Sequence, residues 1–466
     1  MAKTKLIEKI GYGFGDMSSS MFWKIFSYYL PFFYSNIFGL SLVDAGVLVL
    51  VTRIWDAVSD PMMGVISDRT NTKWGKYRPY LLWVAPFFSI CGILLFTTPD
   101  WGYGAKLIWA YITYIMMMTV YTGINVPYGA MLGVMTDDSN EKTVFSSFRM
   151  FFAYGGSFIS LFLWEPLTNL MGGYNTPGGW FWAMVVIAAA CFVMFILCFF
   201  LTKEHLKTVS TVSVGNDFKA LLSNKPWWLL IGAALCFNLF NTVRGATVAY
   251  FFQDIIGAGV SLTLFAIITF SFYAGLFLGV GEVSNMVGVA SCVPIANKLG
   301  KKTTFILVNA SLVVLSILFF FIPCTPTGFW LMLIAQVLIS ILTGIMSPLV
   351  WSMYADVSDY AELKFHTAST GLIFSSSSMA QKFGGAIGGA AVLWLLSGFG
   401  YITDAEQLQA GVVQPDAALT CLRWLMSFIP AAVALISMCI VWFYPLTTER
   451  IGEINEELKK VRAIEE

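Results

Sequence analysis

Long apolar stretches alternate with short polar breaks along most of this chain, and the alternation predicts helices that cross a membrane. A helix needs about 20 mostly apolar residues to span the hydrocarbon layer. Twelve stretches have this character, at residues 10–36, 45–66, 79–98, 106–132, 145–165, 180–202, 227–253, 262–295, 303–323, 329–354, 367–397 and 417–446. We therefore expect an all-α membrane protein.

The longest polar break, at residues 203–226, divides the twelve stretches six and six. We expect an N-terminal six-helix bundle at 1–202, a cytoplasmic linker at 203–226, a C-terminal bundle at 227–446 and a cytoplasmic tail at 447–466. Two sequence echoes support this division. MMGVISDRTNTKWGKYRPYLL matches MVGVASCVPIANKLGKKTTFIL, so that Gly75 pairs with Gly300, and the segment starting at Pro127 resembles the one starting at Pro348. Such duplicated halves are typical of transporters that bind their substrate near the membrane centre.

Composition and charge agree with this topology. Hydrophobic residues make up 58% of the chain and charged residues only 12%, which is too apolar for a soluble protein. When the breaks are numbered alternately, 20 of the 27 lysines and arginines fall on one side and Lys106 alone falls on the other. The positive-inside rule then places both termini in the cytoplasm. The first apolar run carries Asp16 and Lys24 and no small-residue cleavage site, so it is predicted to be a retained helix.

The stretch RIWDAVSDP, residues 53–61, places two carboxylates in an apolar segment. Asp56 and Asp60 lie four residues apart, on one face of a helix, where two negative charges would repel strongly in a low dielectric. Either one carboxylate is protonated or a cation lies between them, and both are the chemistry of a coupling-ion site. Ser59 and Thr122 could add oxygen ligands. The alternative is that Arg53 pairs with Asp56 and merely fixes helix packing.

The first helix has a polar stripe that includes Asp16 and Trp23. A carboxylate beside an aromatic ring suits a sugar, although a membrane tryptophan is more often a packing residue. Lys382 is a lone cation in its span and needs an anionic partner. The substrate-site candidates are Asp16, Trp23, Asn125, Tyr128, Arg149 and Lys382. Glu282, Arg244 and Arg423 are weaker signals that fit structural ion pairs equally well.

Several motifs together resemble one family, the glycoside–pentoside–hexuronide:cation symporters of the major facilitator superfamily, which includes melibiose permease and the glucuronide and xyloside carriers. The resemblance runs nearly end to end. It rests on GYGFGD at 11–16, RIWDAVSDPMMG at 53–64, DRTNTKWGKYRP at 68–79, NVPYGA at 125–130, DVSDYAE at 356–362 and the Gln-Lys pair ending at Lys382.

The resemblance implies roles for particular residues. Asp16 and Arg149 would bind sugar hydroxyls, Asp56 and Asp60 would hold the cation with Thr122 nearby, and Lys382 would lie between the two sites. Charged contacts that hold one conformation closed would come from Asp68, Arg69, Lys76, Arg78, Asp356, Asp359 and Glu362.

The chain departs from melibiose permease at three positions of the sugar and cation sites. Asn125 replaces a second sugar-binding aspartate and Gly129 replaces a stacking tryptophan, which favours a glucuronide or xyloside over melibiose. Ser59 replaces the asparagine of the cation site, which favours protons over Na⁺.

We therefore predict a secondary transporter that carries a sugar or glycoside with a proton by alternating access. It would work as a monomer in a bacterial cytoplasmic membrane, with no cofactor, no metal other than Na⁺ as the alternative ion, and no nucleic-acid partner. The alternatives are a Na⁺-coupled galactoside symporter like melibiose permease and a carrier of lysophospholipids or other amphiphiles. A membrane enzyme is disfavoured because the two histidines, His205 and His366, lie in polar breaks without a nucleophile or metal-ligand spacing.

Overall fold

The protein is described by a computed structural model over residues 5–136, 139–205, 222–256, 262–264, 268–270, 274–325, 327–365, 370–403 and 412–465. Residues 206–221, which form most of the predicted linker, and His366 lie outside the described residues. The domain boundaries predicted from the sequence therefore stay a prediction.

The described chain is almost entirely helical. The α-helices are α1 Leu6–Tyr28, α2 Leu30–Phe32, α3 Leu42–Arg69, α4 Arg78–Trp83, α5 Ala85–Leu95, α6 Tyr103–Met135, α7 Ser139–Leu170, α8 Pro177–Leu201, α9 Lys225–Phe251, α10 Ala274–Leu299, α11 Lys301–Phe320, α12 Gly328–Phe365, α13 Thr370–Gly398, α14 Asp416–Met426, α15 Phe428–Trp442 and α16 Thr448–Glu465. Two π-helical turns, Phe33–Ile37 and Phe252–Ile256, lie shortly after α1 and directly after α9.

Eight helical segments among the described residues are long and apolar enough to cross a membrane. They are Tyr103–Met135, Pro177–Leu201, Lys225–Ile256, Ala274–Leu299, Lys301–Phe320, Gly328–Lys364, Ser378–Gly398 and Asp416–Trp442. Helices α1, α3 and α7 are also long, but they carry the charged residues that the sequence assigns to the sites. The count of twelve spans remains a prediction.

The predicted helix at residues 262–295 is wrong in its first part. Residues Leu262–Leu264 and Ile268–Phe270 form two short antiparallel strands, β1 and β2, with Thr263 opposite Thr269. Helix α10 begins only at Ala274. The stretch LTLFAIITF is rich in β-branched and aromatic residues, which favour extended structure over a helix.

Close contacts divide the chain into two compact units that each combine separate stretches of sequence. The first unit comprises Met1–Ser210, Gly245–Val283 and Gly389–Leu422. Within it α1 packs on α7 and α8, and α3 packs on α6. Its core contains a cluster of aromatic rings in which Trp164 and Trp180 lie 5.4 Å apart between ring centroids.

The second unit comprises Thr211–Arg244, Ser284–Gly388 and Arg423–Glu466. Within it α11 packs on α12 and α15. The core is aliphatic and aromatic and has no exposed surface at Leu230 or Phe305.

The two glycines matched by the internal echo both have a positive φ angle. Gly75 has a φ of 120° and Gly300 a φ of 81°, values that disfavour every residue with a Cβ. Both residues stand close before a helix, α4 and α11 respectively. After Gly75, the Glu204 carboxylate accepts hydrogen bonds from the backbone N–H groups of Lys76, Tyr77 and Arg78 at 2.8, 2.7 and 2.6 Å. Glu204 thereby satisfies N–H groups that would lack a helical partner at the start of α4.

Replacing Gly75 by alanine is expected to loosen this turn. The new Cβ would meet the Glu204 carboxylate and would carry a positive φ, so we expect the free energy of unfolding to fall by about 1–2 kcal/mol. The measurement is the midpoint of thermal unfolding of the detergent-purified chain.

The matched control is Gly64→Ala in the interior of α3, where no atom lies within 4 Å of the added Cβ. It should leave the midpoint unchanged or raise it, because alanine is the better helix former. Equal midpoints for the two variants would contradict the role given to the turn at Gly75.

Candidate functional site

The first group of site residues is an ion pair between α1 and α7. Arg149 Nε donates a hydrogen bond of 2.8 Å to Asp16 Oδ2. The two side chains keep 29% and 12% of their surface exposed, so the pair is charge-compensated but still accessible at its edge. A guanidinium offers several N–H donors and a carboxylate offers acceptors, which together match the hydroxyl groups of a sugar.

The motif GYGFG brings α1 close enough to its neighbours to place this pair. A Cβ added at Gly13 would collide with the Phe152 ring, and one at Gly15 would collide with the Tyr128 ring. Tyr128 is fully buried, and its hydroxyl donates to the Tyr12 carbonyl oxygen at 2.6 Å.

The Tyr128 ring also lies 5.4 Å below the Arg149 guanidinium, a cation–π distance. The Tyr128 ring thus packs against the Arg149 guanidinium, while the Tyr128 hydroxyl donates its hydrogen to a backbone carbonyl.

The second group of residues is a cluster of oxygens between α3 and α6. Thr122 Oγ1 lies 3.1 Å from Asp56 Oδ1, 2.9 Å from Asp60 Oδ1 and 3.1 Å from Ser59 Oγ. Asp56 is fully buried, and Ser59 and Thr122 nearly so. The packing of the fourth predicted span on the second, which was a condition for including Thr122, is present.

The carboxylates of α3 face the interior of the unit. Val58 and Met62 on the same helix are more than half exposed, and Trp55 is exposed as well. Charged and apolar side chains therefore occupy opposite faces of α3, as expected for a helix with a lipid-facing side and a functional side.

A count of protons limits the charge of this cluster. The Thr122 hydroxyl has one hydrogen, so it can donate to only one of the two carboxylate oxygens at a time. Ser59 can donate to Thr122 or to the Asp56 backbone carbonyl, which lies 3.1 Å away. The carboxylate that does not receive this hydrogen needs another donor or a positive charge, and a bound proton or cation is one way to supply it.

Two prolines leave further oxygens near the cluster. Pro61 in α3 and Pro127 in α6 have no N–H group, so the carbonyls of Ala57 and Gly123 lose their usual helical donor. Carboxylate, hydroxyl and carbonyl oxygens are the ligands of Na⁺ and other hard cations, and hydroxyls and carboxylates also carry protons. The donor set fits both predicted coupling ions.

Arg53 makes a cation–π contact, and its alternative pairing with Asp56 stays a prediction. Its guanidinium lies 4.1 Å from the Trp23 ring centroid. Arg53 is 6% exposed, and its Nε and Nη1 atoms have no hydrogen-bond partner within the described part of the chain. Trp23 also lies 5.5 Å from the Tyr121 ring, between centroids. One face of Trp23 is thus occupied by Arg53, and its role as a sugar platform stays a prediction.

Two further substrate-site candidates lie on other helices. Asn125 is half-buried on α6, one turn beyond Tyr121, and its Oδ1 has no hydrogen-bond partner among the described residues. Lys382 is half-buried on α13, in the second unit.

The residues of the predicted closing contacts lie in both units. In the first, Arg69 is exposed at the end of α3, Lys76 and Arg78 follow the Gly75 turn, and the side chain of Asp68 lies outside what is described. In the second, Lys301 Nζ donates to both carboxylate oxygens of Asp356 at 2.7 Å. Asp359 and Glu362 are half-buried on the same helix.

Sequence reasoning missed several partners of these charges. Glu204 and Lys301 lie in polar breaks, where a charged residue carries no signal of its own. Of the weaker signals, Arg244 donates to Gln336 Oε1 at 2.9 Å and Arg423 donates to the Phe320 carbonyl at 2.8 Å. Both are structural contacts of the second unit. Glu282 pairs with Lys24.

The profile of the family described as MFS/sugar transport protein matches residues 11–448. The chain belongs to this family of transporters. The resemblance seen in the motifs is confirmed, and so is the prediction of a multi-pass membrane transporter over a membrane enzyme.

Three relatives match over most of their length. The chain is 34% identical to the inner membrane symporter YicJ of Escherichia coli (strain K12) over 454 residues, 97% of this chain and 94% of the relative. It is 33% identical to the putative glycoside/cation symporter YagG of the same strain over 465 residues, 99% and 97% of the two chains. It is 31% identical to the isoprimeverose transporter of Lactiplantibacillus pentosus over 405 residues, 86% and 82%.

Solved structures of transporters share the fold at low sequence identity. A structure from work on proton-dependent oligopeptide transporters superposes with a TM-score of 0.69 at 13% identity, covering 97% of this chain and all of the other. The nucleoside transporter NupG superposes with a TM-score of 0.66 at 13% identity, covering 95% of this chain and 100% of the other. At this identity the likeness shows the helical transporter fold of the superfamily and nothing about substrate.

The two contacts of Tyr128 can be separated by mutation. Tyr128→Phe removes only the hydrogen bond to the Tyr12 carbonyl, so we expect the free energy of unfolding to fall by about 1 kcal/mol. Sugar affinity should stay within about threefold of the unmodified chain, because the ring beneath Arg149 remains. The affinity is measured by calorimetric titration of the purified chain with sugar, and the stability is measured by thermal unfolding.

Tyr128→Leu serves as the contrasting variant, because it removes the ring as well. It should weaken sugar binding by about tenfold through the loss of support for Arg149. A loss of affinity in Tyr128→Phe as large as in Tyr128→Leu would mean that the hydroxyl itself contacts the sugar.

Proposed function

We propose that this chain is a secondary transporter that couples the entry of a sugar or glycoside to the entry of a cation by alternating access. The observation that carries the proposal is the single Thr122 hydroxyl shared by Asp56 and Asp60. Such a cluster binds and releases one positive charge, which is what a coupled transporter requires.

The electrostatic cost of an empty cluster is large enough to drive coupling. The Oδ1 atoms of Asp56 and Asp60 are at most about 6 Å apart, because each lies about 3 Å from Thr122 Oγ1. Two full charges at that distance repel by about 3 kcal/mol at an effective dielectric constant near 20. Sugar binding that favours the neutralised state would therefore be linked to ion binding by a factor of about 100.

The membrane potential adds to this coupling. Moving one charge through the potential contributes about 2.3 kcal/mol per 100 mV.

The substrate site is proposed to contain the Asp16–Arg149 pair, with further contacts from the candidates Trp23, Asn125 and Lys382. The Asp16 carboxylate would accept hydrogen bonds from sugar hydroxyl groups, and the Arg149 guanidinium would donate hydrogen bonds to them. Asn125 Oδ1 would be a further acceptor. Trp23 and Lys382 are the remaining proposed contacts. The relatives YagG and the isoprimeverose transporter are named for glycosides, and we extend that substrate class, with glucuronides, to this chain.

The coupling ion is proposed to be a proton, with Na⁺ as the alternative. The cation-site asparagine of melibiose permease is Ser59 here, and a proton bound between Asp56, Asp60 and Thr122 needs no further ligand.

The topology that completes the proposal has twelve spans, with both termini cytoplasmic. Residues 1–202 and 227–446 would move against each other, and a monomer would suffice. The location would be the bacterial inner membrane, as the name of YicJ states for that relative.

The proposed closing contacts are on the cytoplasmic side. Basic groups following α3, at Arg69, Lys76 and Arg78, together with Asp68, would approach the acidic groups of α12 in one state. Asp356, Asp359 and Glu362 are those acidic groups. The Lys301–Asp356 bond would keep part of this charge occupied within the second unit.

The coupling proposal is tested by uptake into proteoliposomes driven by a proton gradient or, separately, by a Na⁺ gradient. Thr122→Val and Asp60→Asn should each abolish the accumulation of sugar above its equilibrium concentration. In either variant the altered oxygen cluster can no longer take up and release a positive charge as the native cluster does. Both variants should still equilibrate sugar down its own gradient.

Thr119→Val, on the same helix, is the matched control. Thr119 bonds to Trp55 and to the Ile115 carbonyl, outside the oxygen cluster, so it should accumulate sugar like the unmodified chain. If Thr122→Val and Asp60→Asn accumulate sugar uphill as well as the control does, the coupling role of the cluster is refuted.

The substrate proposal predicts separable effects at the ion pair. Asp16→Asn should weaken sugar binding by about 10- to 100-fold, since it removes a charged acceptor and leaves Arg149 unpaired. Thermal-shift binding of xylosides, glucuronides and galactosides, with and without Na⁺ at two pH values, gives the affinity and the sugar class. Unchanged affinity of Asp16→Asn for every sugar that stabilises the unmodified chain would remove Asp16 from the site.

A further inference from the structure

Lys24 and Glu282 form a buried ion pair that the transport mechanism above does not use. Lys24 Nζ donates a hydrogen bond of 2.5 Å to Glu282 Oε1, across 258 residues of sequence. The side chains are 21% and 4% exposed. Glu282 Oε2 has no hydrogen-bond partner among the described residues. The pair joins α1 to the first half of α10, and both segments belong to the first unit.

Other polar contacts join the N-terminal part of the first unit to its segment Gly245–Val283. Glu165 Oε2 on α7 accepts from the Gly275 N–H at 3.1 Å, at the start of α10. The Ser35 and Tyr250 hydroxyls lie 2.7 Å apart.

A second set of contacts lies close to these. Tyr401 donates to Asp254 Oδ2 at 2.5 Å and accepts from Asn36 Nδ2 at 3.2 Å. Ser35 and Asn36 belong to one π-helical turn and Asp254 to the other. Ser35 and Asn36 lie just beyond the end of α1 and Lys24 lies one turn before that end, and we refer to this region as the face at which α1 ends.

The Lys24–Glu282 pair lies next to a contact between α1 and α3. Lys24 follows Trp23, whose ring lies 4.1 Å from the Arg53 guanidinium. Arg53 lies three residues before Asp56 on α3. The same turn of α1 therefore contacts both α10 and the helix that carries Asp56 and Asp60.

A buried ion pair suits a contact that must open and close. Its attraction is largely offset by the loss of hydration, so the paired state is only modestly favoured, whereas removal of one partner leaves an isolated buried charge. Opening returns both charges to water, which lowers the cost of separating them.

We propose that Lys24 and Glu282 are a latch that holds the face at which α1 ends closed, and that the latch opens when that face admits substrate. The proposal rests on alternating access as the mode of transport. In this proposal Lys24 and Glu282 control the equilibrium between the closed and open states of that face, and neither residue contacts the sugar or the coupling ion.

The test measures opening directly on the full chain in detergent. Ser35 is fully buried beside Tyr250, so a cysteine in its place reacts with a bulky polar maleimide only when this face opens. The labelling rate of Ser35→Cys is compared in four backgrounds: unmodified, Lys24→Gln, Glu282→Gln, and the exchanged pair Lys24→Glu with Glu282→Lys. The labelling rate of the chain with native Ser35 is subtracted, because it measures the reaction of the eight native cysteines.

The latch predicts at least about tenfold faster labelling in either single variant, because an unpaired buried charge destabilises the closed state. The exchanged pair should return the rate to within about threefold of the unmodified background. The matched control is Lys9→Gln, which breaks the Lys9–Glu141 bond of 2.9 Å between α1 and α7, near the other end of α1. It should leave the rate unchanged.

Single variants that label no faster than Lys9→Gln overturn the latch, and so does an exchanged pair that labels as fast as the single variants. If the single variants do not yield folded protein, the double variant Lys24→Met with Glu282→Leu decides. It leaves no buried charge, so it should label more slowly than the unmodified background. Faster labelling there overturns the proposal.

The outcome is independent of whether the transported solute is a sugar. Labelling needs no transport, so a failure of uptake by the unmodified chain would refute the proposed function while leaving the labelling result to decide the latch.

Discussion

Two carboxylates that face one hydroxyl hydrogen are the constraint on which this membrane domain depends. Asp56 and Asp60 cannot both accept the single Thr122 hydrogen at once, so two ionised carboxylates at this place need other donors or an added positive charge. Asp56, Ser59 and Thr122 are buried and Asp60 is half-buried, because α3 turns its apolar residues outward and packs its other side on α6. In water the same pair would be held apart by solvent and would have no reason to capture an ion. Burial thus converts an ordinary repulsion into a binding site.

Helix α1 connects this constraint to the rest of the first unit. Its glycines let it lie directly against α6 and α7, which brings Asp16 within bonding distance of Arg149. Two turns further along, Trp23 meets Arg53 from α3 and Lys24 meets Glu282 from α10. One helix therefore carries the carboxylate proposed to bind sugar, a contact to the helix of the oxygen cluster and the contact proposed to close one face.

The cost of burying charge was the most informative signal in the sequence. It selected Asp56, Asp60 and Asp16 and, through the expected packing of two helices, Thr122. The periodicity of apolar residues located most helices, but it could not distinguish a buried helix from the β-branched stretch that forms β1 and β2. Local backbone events were also hidden, because a π-helical turn such as Phe33–Ile37 differs from an α-helix only in its hydrogen-bond register.

Contacts between distant charges were the least predictable part. The partner of Lys24 is 258 residues away, and nothing in a single sequence selects Glu282 over other carboxylates. Arg53 illustrates the same difficulty, since the neighbouring Asp56 was the expected partner and the contact that the structure describes is with the Trp23 ring. Lone cations in membrane helices are satisfied by ring faces and carbonyls as well as by acids, as Arg423 against Phe320 also illustrates.

Three of the helices that carry site residues, α1, α3 and α7, are absent from the eight described segments that are apolar enough to cross a membrane by composition. Each charged residue at the centre of a lone helix costs about 2.5–3.5 kcal/mol during insertion from the translocon. These helices therefore depend on their neighbours while the chain is being synthesised. Arg149 follows Asp16 by 133 residues and Glu282 follows Lys24 by 258 residues, so each early charge is synthesised well before its partner. The ion pairs that compensate these charges can therefore form only after the later helices have been made.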